Sequence, residues 1–228
     1  MDNILFKIVN LSKSFFHEQI KIEVLKNVSF SLEKEGLVLI SGHSGSGKST
    51  LLNLLASFLK ADEGEIYFKN ENLFLMNEKK LRRYRNTQLG FVFQNYNLFL
   101  EHNVLFNLAL PLLINSYGIN YSYEQALVLL RNYKLEYLAY QKAKFLSGGE
   151  KQRVAILRAL INNPDVVFAD EPTGALDEEN AYEILHFLKD ISKKRLVVIV
   201  SHDLDLLKQF ATKHLSINNG KLLIQNDV

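Results

Sequence analysis

The sequence has no cysteine and no long apolar run. Without cysteine, disulfide bonds, thiolate catalysis and cysteine-ligated metals are excluded, and the composition fits a reducing compartment. The closest approach to a membrane span, residues 104–114, is shorter than the roughly 18 apolar residues required and contains Asn107 and Pro111. The first ten residues lack the basic stretch and apolar run of a signal peptide. We therefore expect a soluble, cytoplasmic chain.

An excess of charge of one sign is also missing. The 27 basic and 25 acidic residues leave a formal net charge of +2, which is too small to indicate a nucleic-acid partner. Hydrophobic residues make up 47% of the 228 residues, enough for a substantial core. The length of 228 residues predicts one large domain or a domain with an insertion, and neither an internal repeat nor a low-complexity tract occurs.

Four apolar runs end in polar residues. They are LVLISG (37–42), LGFVFQ (89–94), DVVFADE (165–171) and RLVVIVSH (195–202). Such runs are typical of strands buried on both faces of a parallel sheet. Ligands of open α/β sheets bind beyond the carboxyl ends of the strands, so these polar ends together predict a site. A solvated strand end explains Gln94 alone equally well.

The rest of the chain predicts the layers around this sheet. Helical periodicity separates the runs at residues 49–59, 154–161 and 181–191. Residues 95–145 have helical spacing and are rich in leucine and aromatics, which indicates a mostly helical insertion. Residues 6–16 and 22–34 alternate like antiparallel strands, and a strand pair with a turn is predicted at 64–74. The expected fold is α/β, with a mostly parallel sheet, an N-terminal antiparallel β subdomain and an inserted helical subdomain.

The stretch GHSGSGKST, Gly42–Thr50, fits the phosphate-loop pattern G-x-x-x-x-G-K-[ST]. It follows a predicted strand and opens a predicted helix, the context that the pattern requires and that a chance match lacks. Its glycines let backbone N–H groups surround phosphate oxygens. Lys48 would reach the β- and γ-phosphates, and the Ser49 hydroxyl would ligate Mg²⁺. The predicted nucleotide-binding residues here are Gly42, Ser44, Gly45, Ser46, Gly47, Lys48, Ser49 and Thr50.

A pair of carboxylates ends the third apolar run, in DVVFADEPTGALD. Asp170 follows four apolar residues, the arrangement in which a carboxylate supports the metal through water. Glu171 is one residue further on, and its side chain would polarise a water for in-line attack on the γ-phosphorus. The competing interpretation is an acidic strand end followed by a proline turn.

A second candidate anion site lies in KFLSGGEKQRVAILRAL, residues 144–160. A serine and two glycines precede a helical pattern, and the unpaired N–H groups of a helix N-terminus bind anions well. The phosphate loop already supplies one phosphate site, so the residues alone leave the purpose of a second one open.

The order of GHSGSGKST, Gln94, LSGGE, VVFADEPTGALD and IVSHD resembles the nucleotide-binding subunits of ABC transporters. The resemblance runs from about Phe6 to Leu223, and LSGGE (146–150) is its most specific element, because other phosphate-loop ATPases lack it. It implies ATP and Mg²⁺ as cofactors and ATP hydrolysis as the reaction. It also implies a single domain, residues 1–228, with the nucleotide-binding core at 1–94 and 160–228 and the helical subdomain at 95–159.

The resemblance gives the second anion site a purpose. In this family the signature residues close over the γ-phosphate of ATP that is held by a second subunit, arranged head to tail. The residues concerned here are Ser147, Gly148, Gly149 and Glu150. Since every motif is present in this one chain, we expect the second ATP-binding subunit to be an identical copy.

Other roles are also implied only by the resemblance. Phe15, or else Phe16, would stack on the adenine ring, although both are equally explained as core residues. Gln94 would ligate Mg²⁺ and sense the γ-phosphate, Asp177 would communicate between the paired sites, and His202 would contact the γ-phosphate. The expected catalytic residues are thus Lys48, Gln94, Glu171 and His202, and the expected metal ligands Ser49, Gln94 and Asp170.

LRRYRNTQLGFVFQNYNLF and ADEPTGALDEEN resemble the group that serves lipoprotein release and macrolide export. This implies transmembrane permease subunits as partners, a position at the inner face of the cell membrane, a groove for a short partner helix near residues 94–113, and no nucleic acid. His43, Glu150 and the lack of proline before LSGGE depart from the family pattern without touching the catalytic groups. Two alternatives are a soluble ABC-type ATPase serving a non-transport assembly and a small-molecule kinase.

Overall fold

The computed structural model describes residues 3–202 and 205–225, and these form two β-sheets and seven α-helices. The strands are β1 Ile4–His17, β2 Ile20–Glu33, β3 Gly36–Ser41, β4 Glu63–Phe68, β5 Glu71–Asn72, β6 Leu89–Val92, β7 Val166–Asp170, β8 Leu196–Ser201, β9 Lys213–Asn218 and β10 Lys221–Gln225. The α-helices are α1 Lys48–Leu55, α2 Glu78–Arg83, α3 Val104–Ile114, α4 Ile119–Asn132, α5 Gly148–Leu160, α6 Glu178–Ser192 and α7 Asp205–Lys208. The expected α/β class is confirmed.

The central sheet has the strand order β10-β9-β3-β8-β7-β6, and only β10 runs antiparallel to its neighbour. Both of its faces are buried, which is why its strands are continuous apolar runs. In β3, Leu37 and Leu39 belong to one hydrophobic cluster, and Val38 and Ile40 belong to another on the opposite face. Since β3, β6, β7 and β8 are parallel, their polar carboxyl ends meet at one edge.

The second sheet is antiparallel, in the order β2-β1-β4-β5. It is built on a long β1–β2 hairpin, in which Phe15 pairs with Ile22, and the expected pairing of β4 with β5 is also present. Side chains from this sheet, such as Phe6, share the hydrophobic cluster that contains Val38 and α1. The predicted N-terminal antiparallel subdomain is therefore confirmed, and it lies on the α1 side of the central sheet.

The segment between β6 and β7 is mostly helical, as expected, with α3, α4, two short 3₁₀ turns and α5. These helices share their cluster with the other face of the central sheet. β6 and α5 approach each other closely, because a Cβ on Gly90 would lie 2.4 Å from the Ala159 carbonyl oxygen. The subdomain boundaries at 94/95 and 159/160 stay a prediction.

The largest differences from the expected helix boundaries are at the end of α1 and the start of α5, and each has an identifiable reason. The helix predicted at 49–59 ends at Leu55, because Ser57 adopts a left-handed backbone with φ 56° and the Phe58 N–H donates to the Asn53 carbonyl, a common helix-ending geometry. α5 begins earlier than predicted, at the serine cap Ser147. Apolar periodicity shows neither feature, because it follows the buried stripe only.

No helix in the described ranges is both long and apolar enough to cross a bilayer. The final residue of the IVSHD motif, Asp203, lies outside the described residues.

Candidate functional site

The phosphate loop connects β3 to α1 at the carboxyl edge of the central sheet. Gly47 caps α1 with φ 106°, and a Cβ there would lie 2.8 Å from the Val24 carbonyl oxygen, so this position requires glycine. The Lys48 ammonium is buried and donates to the carbonyl oxygens of Gly42 and His43, at 2.9 and 3.1 Å. A positive charge is therefore held inside the loop, where phosphate oxygens would be its natural partners.

The predicted Mg²⁺ ligands Ser49 and Asp170 lie where α1 meets the carboxyl end of β7. The Ser49 hydroxyl donates to the Asp170 carboxylate at 3.2 Å, so these two predicted metal ligands are adjacent. The described residues contain no cluster of three or more His, Cys, Asp or Glu able to hold a metal. A hydroxyl and one carboxylate fit Mg²⁺, which takes most of its remaining oxygens from water and substrate phosphates.

The Asp170 pKa is raised, mainly by burial and further by the nearby Glu171 charge, while the Ser49 hydrogen bond opposes the shift. A group whose pKa is higher in the folded state destabilises the fold once the pH exceeds its unfolded pKa. The metal-free site therefore contains a carboxylate that a bound cation would stabilise.

We expect Asp170→Asn to raise the melting temperature of the metal-free protein at pH 7, because the amide removes a carboxylate whose pKa is raised by burial. The gain should shrink as the pH falls through the folded-state pKa and vanish below the unfolded-state pKa, because Asp170 is then protonated in both states. The measurement is thermal unfolding in EDTA at several pH values. Equal melting temperatures at pH 7 would contradict the prediction.

Glu171 lies just beyond β7 in a left-handed conformation, with φ 48°, while its N–H continues the strand by donating to the Val200 carbonyl. Its largely buried carboxylate accepts hydrogen bonds from the Ser201 hydroxyl and from His202 Nδ1, both at 2.9 Å. With ionised Glu171 as acceptor, Nδ1 carries a proton. The strained turn and two donors thus fix the carboxylate at the sheet edge, as a general base requires.

The signature residues begin α5. Ser147 and Glu150 form a capping box: the Ser147 hydroxyl accepts from the Glu150 N–H, and the Glu150 carboxylate accepts from the Ser147 N–H. Ser147 and Gly148 are exposed, so the helix N-terminus faces outward. Gly149 is buried beside the Asn180 amide, which donates to both carboxylate oxygens of Asp177, the cap of α6.

Comparison with known proteins agrees with this geometry. A family model described as "ABC transporter" matches residues 25–174. The chain is 41% identical to the lipoprotein-releasing system ATP-binding protein LolD of Buchnera aphidicola subsp. Schizaphis graminum, with 97% of each chain covered. LolD of Buchnera aphidicola subsp. Acyrthosiphon pisum is 39% identical, with 92% of each covered.

The chain belongs to the ABC transporter family. It is similar in structure to the ATP-binding cassette MJ0796 in a dimeric post-hydrolysis state bound to ADP and phosphate, with TM-score 0.85, 34% identity and coverage of 98% and 100%. A second dimeric MJ0796 structure, described as a bacterial ABC transporter cassette, gives TM-score 0.82 at 36% identity, with 96% of each chain covered. This ABC protein is thus an ATP-binding and ATP-hydrolysing transporter subunit, not a small-molecule kinase.

Three residues with predicted roles, Phe15, Phe16 and Gln94, are exposed at the surface of this ABC subunit. Phe15 is 40% exposed and pairs with Ile22, two residues before the Val24 carbonyl that contacts Gly47. Its exposed ring therefore lies on the hairpin that contacts the phosphate loop, with the Lys13 ammonium 5.5 Å from the ring centroid. Phe16 is more exposed, at 73%, so the interpretation of both rings as core is wrong.

Gln94 is exposed in the turn after β6. The β6 residue Val92 pairs with Ala169, so Gln94 lies beyond the same sheet edge as Asp170. No hydrogen bond of its amide to another residue is found in ranges 3–202 and 205–225. Its role in this ABC subunit therefore stays a prediction.

Sequence reasoning missed two supporting residues. Ser201 was placed at a strand end without a role, yet it holds the Glu171 carboxylate. Asn180 joins the signature helix to Asp177. The polar end of β8 is a signal for Ser201, whereas nothing in the sequence indicates Asn180, because the contact depends on how α5 packs against α6.

Proposed function

We propose that two copies of this chain bind two ATP molecules head to tail and, through membrane subunits, drive the release of lipoproteins. The substrate class is supported by the two LolD relatives, which cover nearly all of the chain at about 40% identity. The arrangement is supported by the dimeric MJ0796 cassettes. One observation carries the proposal: a complete phosphate loop and an outward-facing, capped signature helix occur in the same chain.

Each site residue has a proposed role that follows from its place. Lys48 binds the β- and γ-phosphates, and Ser49 and Asp170 hold Mg²⁺ with a further oxygen from Gln94. Bound Mg²⁺ supplies positive charge that offsets the charge developing on the phosphates. Glu171 accepts a proton from the attacking water, and His202, which is two-thirds exposed, contacts the γ-phosphate. Phe15 stacks on the adenine.

The signature residues act on the partner copy in this proposal. The exposed Ser147 and Gly148 supply a hydroxyl and N–H groups at a helix N-terminus, where an anion is stabilised. Asp177 accepts the Asn180 N–H at 2.9 Å and has a lowered pKa, first because of that backbone hydrogen bond. It therefore stays ionised and keeps α6 capped beside the signature helix.

A groove between the sheet and α3 is the proposed contact for a short helix of a membrane subunit. It is lined by the aromatic side chains Phe91 and Phe93 and by Leu110, Pro111 and Ile114. Ile114, the last residue of α3, is 63% exposed, so its aliphatic side chain is available for contact. Occupation of the groove would place the subunit at the inner face of the membrane.

We expect Ser147→Arg to abolish ATP-dependent dimerisation while leaving ATP binding by the phosphate loop intact, because a long cationic side chain would fill the site of the partner's γ-phosphate. The measurement is molar mass in solution of Glu171→Gln alone and with Ser147→Arg, each with ATP and EDTA. Ser116→Arg, an exposed serine between α3 and α4, is the matched control. A dimer that survives Ser147→Arg would overturn the head-to-tail arrangement.

The substrate class requires a separate test. The tagged chain should copurify with membrane subunits, and the purified complex in liposomes should release an acylated lipoprotein on ATP addition. A complex that leaves lipoproteins in the bilayer but moves a macrolide would overturn the substrate assignment and leave the ATPase assignment intact.

A further inference from the structure

The segment that carries Gln94 has an unusual backbone. It follows β6, and two consecutive non-glycine residues, Tyr96 and Asn97, have left-handed φ angles of 59° and 48°. Such a conformation is uncommon for residues other than glycine, although asparagine adopts it more readily than tyrosine does. The hydrogen bonds of this turn show which groups hold it.

Arg158 is one such group. Its Nη2 donates to the Tyr96 carbonyl at 2.6 Å and its Nη1 donates to the Asn97 carbonyl at 2.5 Å. The fork of the guanidinium thus engages the two left-handed residues together, a geometry that lysine does not reproduce. Burial lowers the Arg158 pKa to about 10, so the group remains charged at neutral pH.

The charge of Arg158 has no carboxylate partner in the described part of the chain: none lies within 4 Å of its nitrogens. A partly buried cation that is satisfied by carbonyl oxygens depends on those oxygens staying in place. The turn also depends on Arg158, because the Tyr96 and Asn97 carbonyls both accept hydrogen bonds from this one side chain.

A second side chain holds the far end of the same segment. Asn107 of α3 is fully buried, accepts the Phe99 N–H at 2.7 Å and donates to the Phe99 carbonyl at 3.1 Å. The Gln94 turn is therefore fixed from α5 on one side and from α3 on the other. Gln94 itself lies outside both contacts and is free to reach toward a ligand.

Arg158 also links this turn to the two other functional surfaces. It belongs to α5, whose N-terminus carries Ser147. Together with Asn97, it lines the groove proposed for the membrane subunit. One side chain thus touches the groove and holds the Gln94 segment, and it does so from the helix that presents the signature residues.

We propose that Arg158 is a positioning residue: it holds the turn at Tyr96 and Asn97 so that Gln94 can reach the metal and γ-phosphate, and it connects the groove to that position. This inference rests on the metal-binding role proposed for Gln94. If Arg158 only stabilised the fold, its substitution would change the unfolding temperature and leave the metal dependence of the reaction unchanged.

The test compares ATP hydrolysis by Arg158→Lys, Gln94→Ala and the double variant over a Mg²⁺ titration. For Arg158→Lys we expect kcat to fall and the half-saturating Mg²⁺ concentration to rise, each by about 10-fold, the usual lower bound for supporting residues of a metal site. The KM for ATP should change by less than about 2-fold, because Lys48 is untouched. The double variant should be no slower than Gln94→Ala.

Arg195→Lys is the matched control. Arg195 also donates to a loop carbonyl, that of Pro164, and is also partly buried, but it lies at the amino-terminal edge of the sheet. The Arg195→Lys variant should therefore have the wild-type kcat and Mg²⁺ dependence. Asn97→Gly favours the left-handed angle without help from the arginine, so adding it to Arg158→Lys should restore part of the wild-type Mg²⁺ dependence, a rescue that a merely stabilising arginine would not show.

The outcomes separate the two proposals. If Gln94→Ala lowers kcat but Arg158→Lys keeps the wild-type Mg²⁺ dependence, or if the effects of Arg158→Lys and Gln94→Ala add fully, the positioning role of Arg158 is overturned. If Gln94→Ala itself leaves kcat and Mg²⁺ dependence unchanged, the role of Gln94 fails, and the inference fails with it.

Discussion

Glu171→Gln should hydrolyse ATP at least about 100-fold more slowly than the wild type, the lower range for loss of a general base. The amide keeps the size of the side chain and accepts the Ser201 hydrogen bond, but it cannot take a proton from water. Because ATP binding is retained, the variant should accumulate as an ATP-bound dimer. Steady-state hydrolysis and solution mass with and without ATP measure both effects.

Glu179→Gln is the control for this substitution, since Glu179 is exposed in the first turn of α6 and undergoes the same change of charge. It should hydrolyse ATP at the wild-type rate. Wild-type hydrolysis by Glu171→Gln would show that another group activates the water, and His202, 2.9 Å from Glu171, would then be the first to examine.

Lys48→Ala should lower both nucleotide affinity and turnover, with a loss of turnover of about 100- to 1,000-fold, the effect of removing one preorganised charge-stabilising donor. The physical reason is that the Lys48 ammonium is held inside the loop by the carbonyl oxygens of Gly42 and His43. When phosphate enters, the ammonium exchanges these neutral acceptors for charged ones, which form stronger hydrogen bonds.

The comparison for Lys48→Ala is Lys60→Ala, an exposed lysine after α1, with binding of a fluorescent ATP analogue and melting temperature measured on both. Lys60→Ala should match the wild type. Lys48→Ala with wild-type turnover and a normal melting temperature would disprove the assignment of the loop as the ATP site.

The sheet and the phosphate loop could be predicted because local patterns determine them. A strand buried on both faces needs apolar residues throughout, as in β3 and β8, and a phosphate loop needs glycine where Gly47 contacts Val24. The polar strand ends then placed Asp170, Glu171 and His202 at a single edge. These predictions needed no knowledge of how distant elements pack.

The supporting contacts could not be predicted, because they join residues far apart in the sequence. Arg158 contacts Tyr96 because α5 packs on β6, and Ser201 contacts Glu171 because β7 and β8 are adjacent strands. The left-handed backbone at Glu171 could not be predicted either, since glutamate, unlike glycine, has no general preference for it. Periodicity and motifs therefore identified the reacting groups, and the groups that orient them became visible only in the fold.

The tight contact of Gly90 with Ala159 holds the carboxyl end of α5 against β6, so that the helix can pivot about this end. From Ala159 to Gly148 the helix measures about 16 Å at its rise of 1.5 Å per residue. A tilt of about 10° around that end would move the signature serine by about 3 Å, the length of one hydrogen bond, while Arg158, next to the pivot, would scarcely move. A small rotation can therefore make or break the phosphate contact at the free end while the Gln94 turn stays in place.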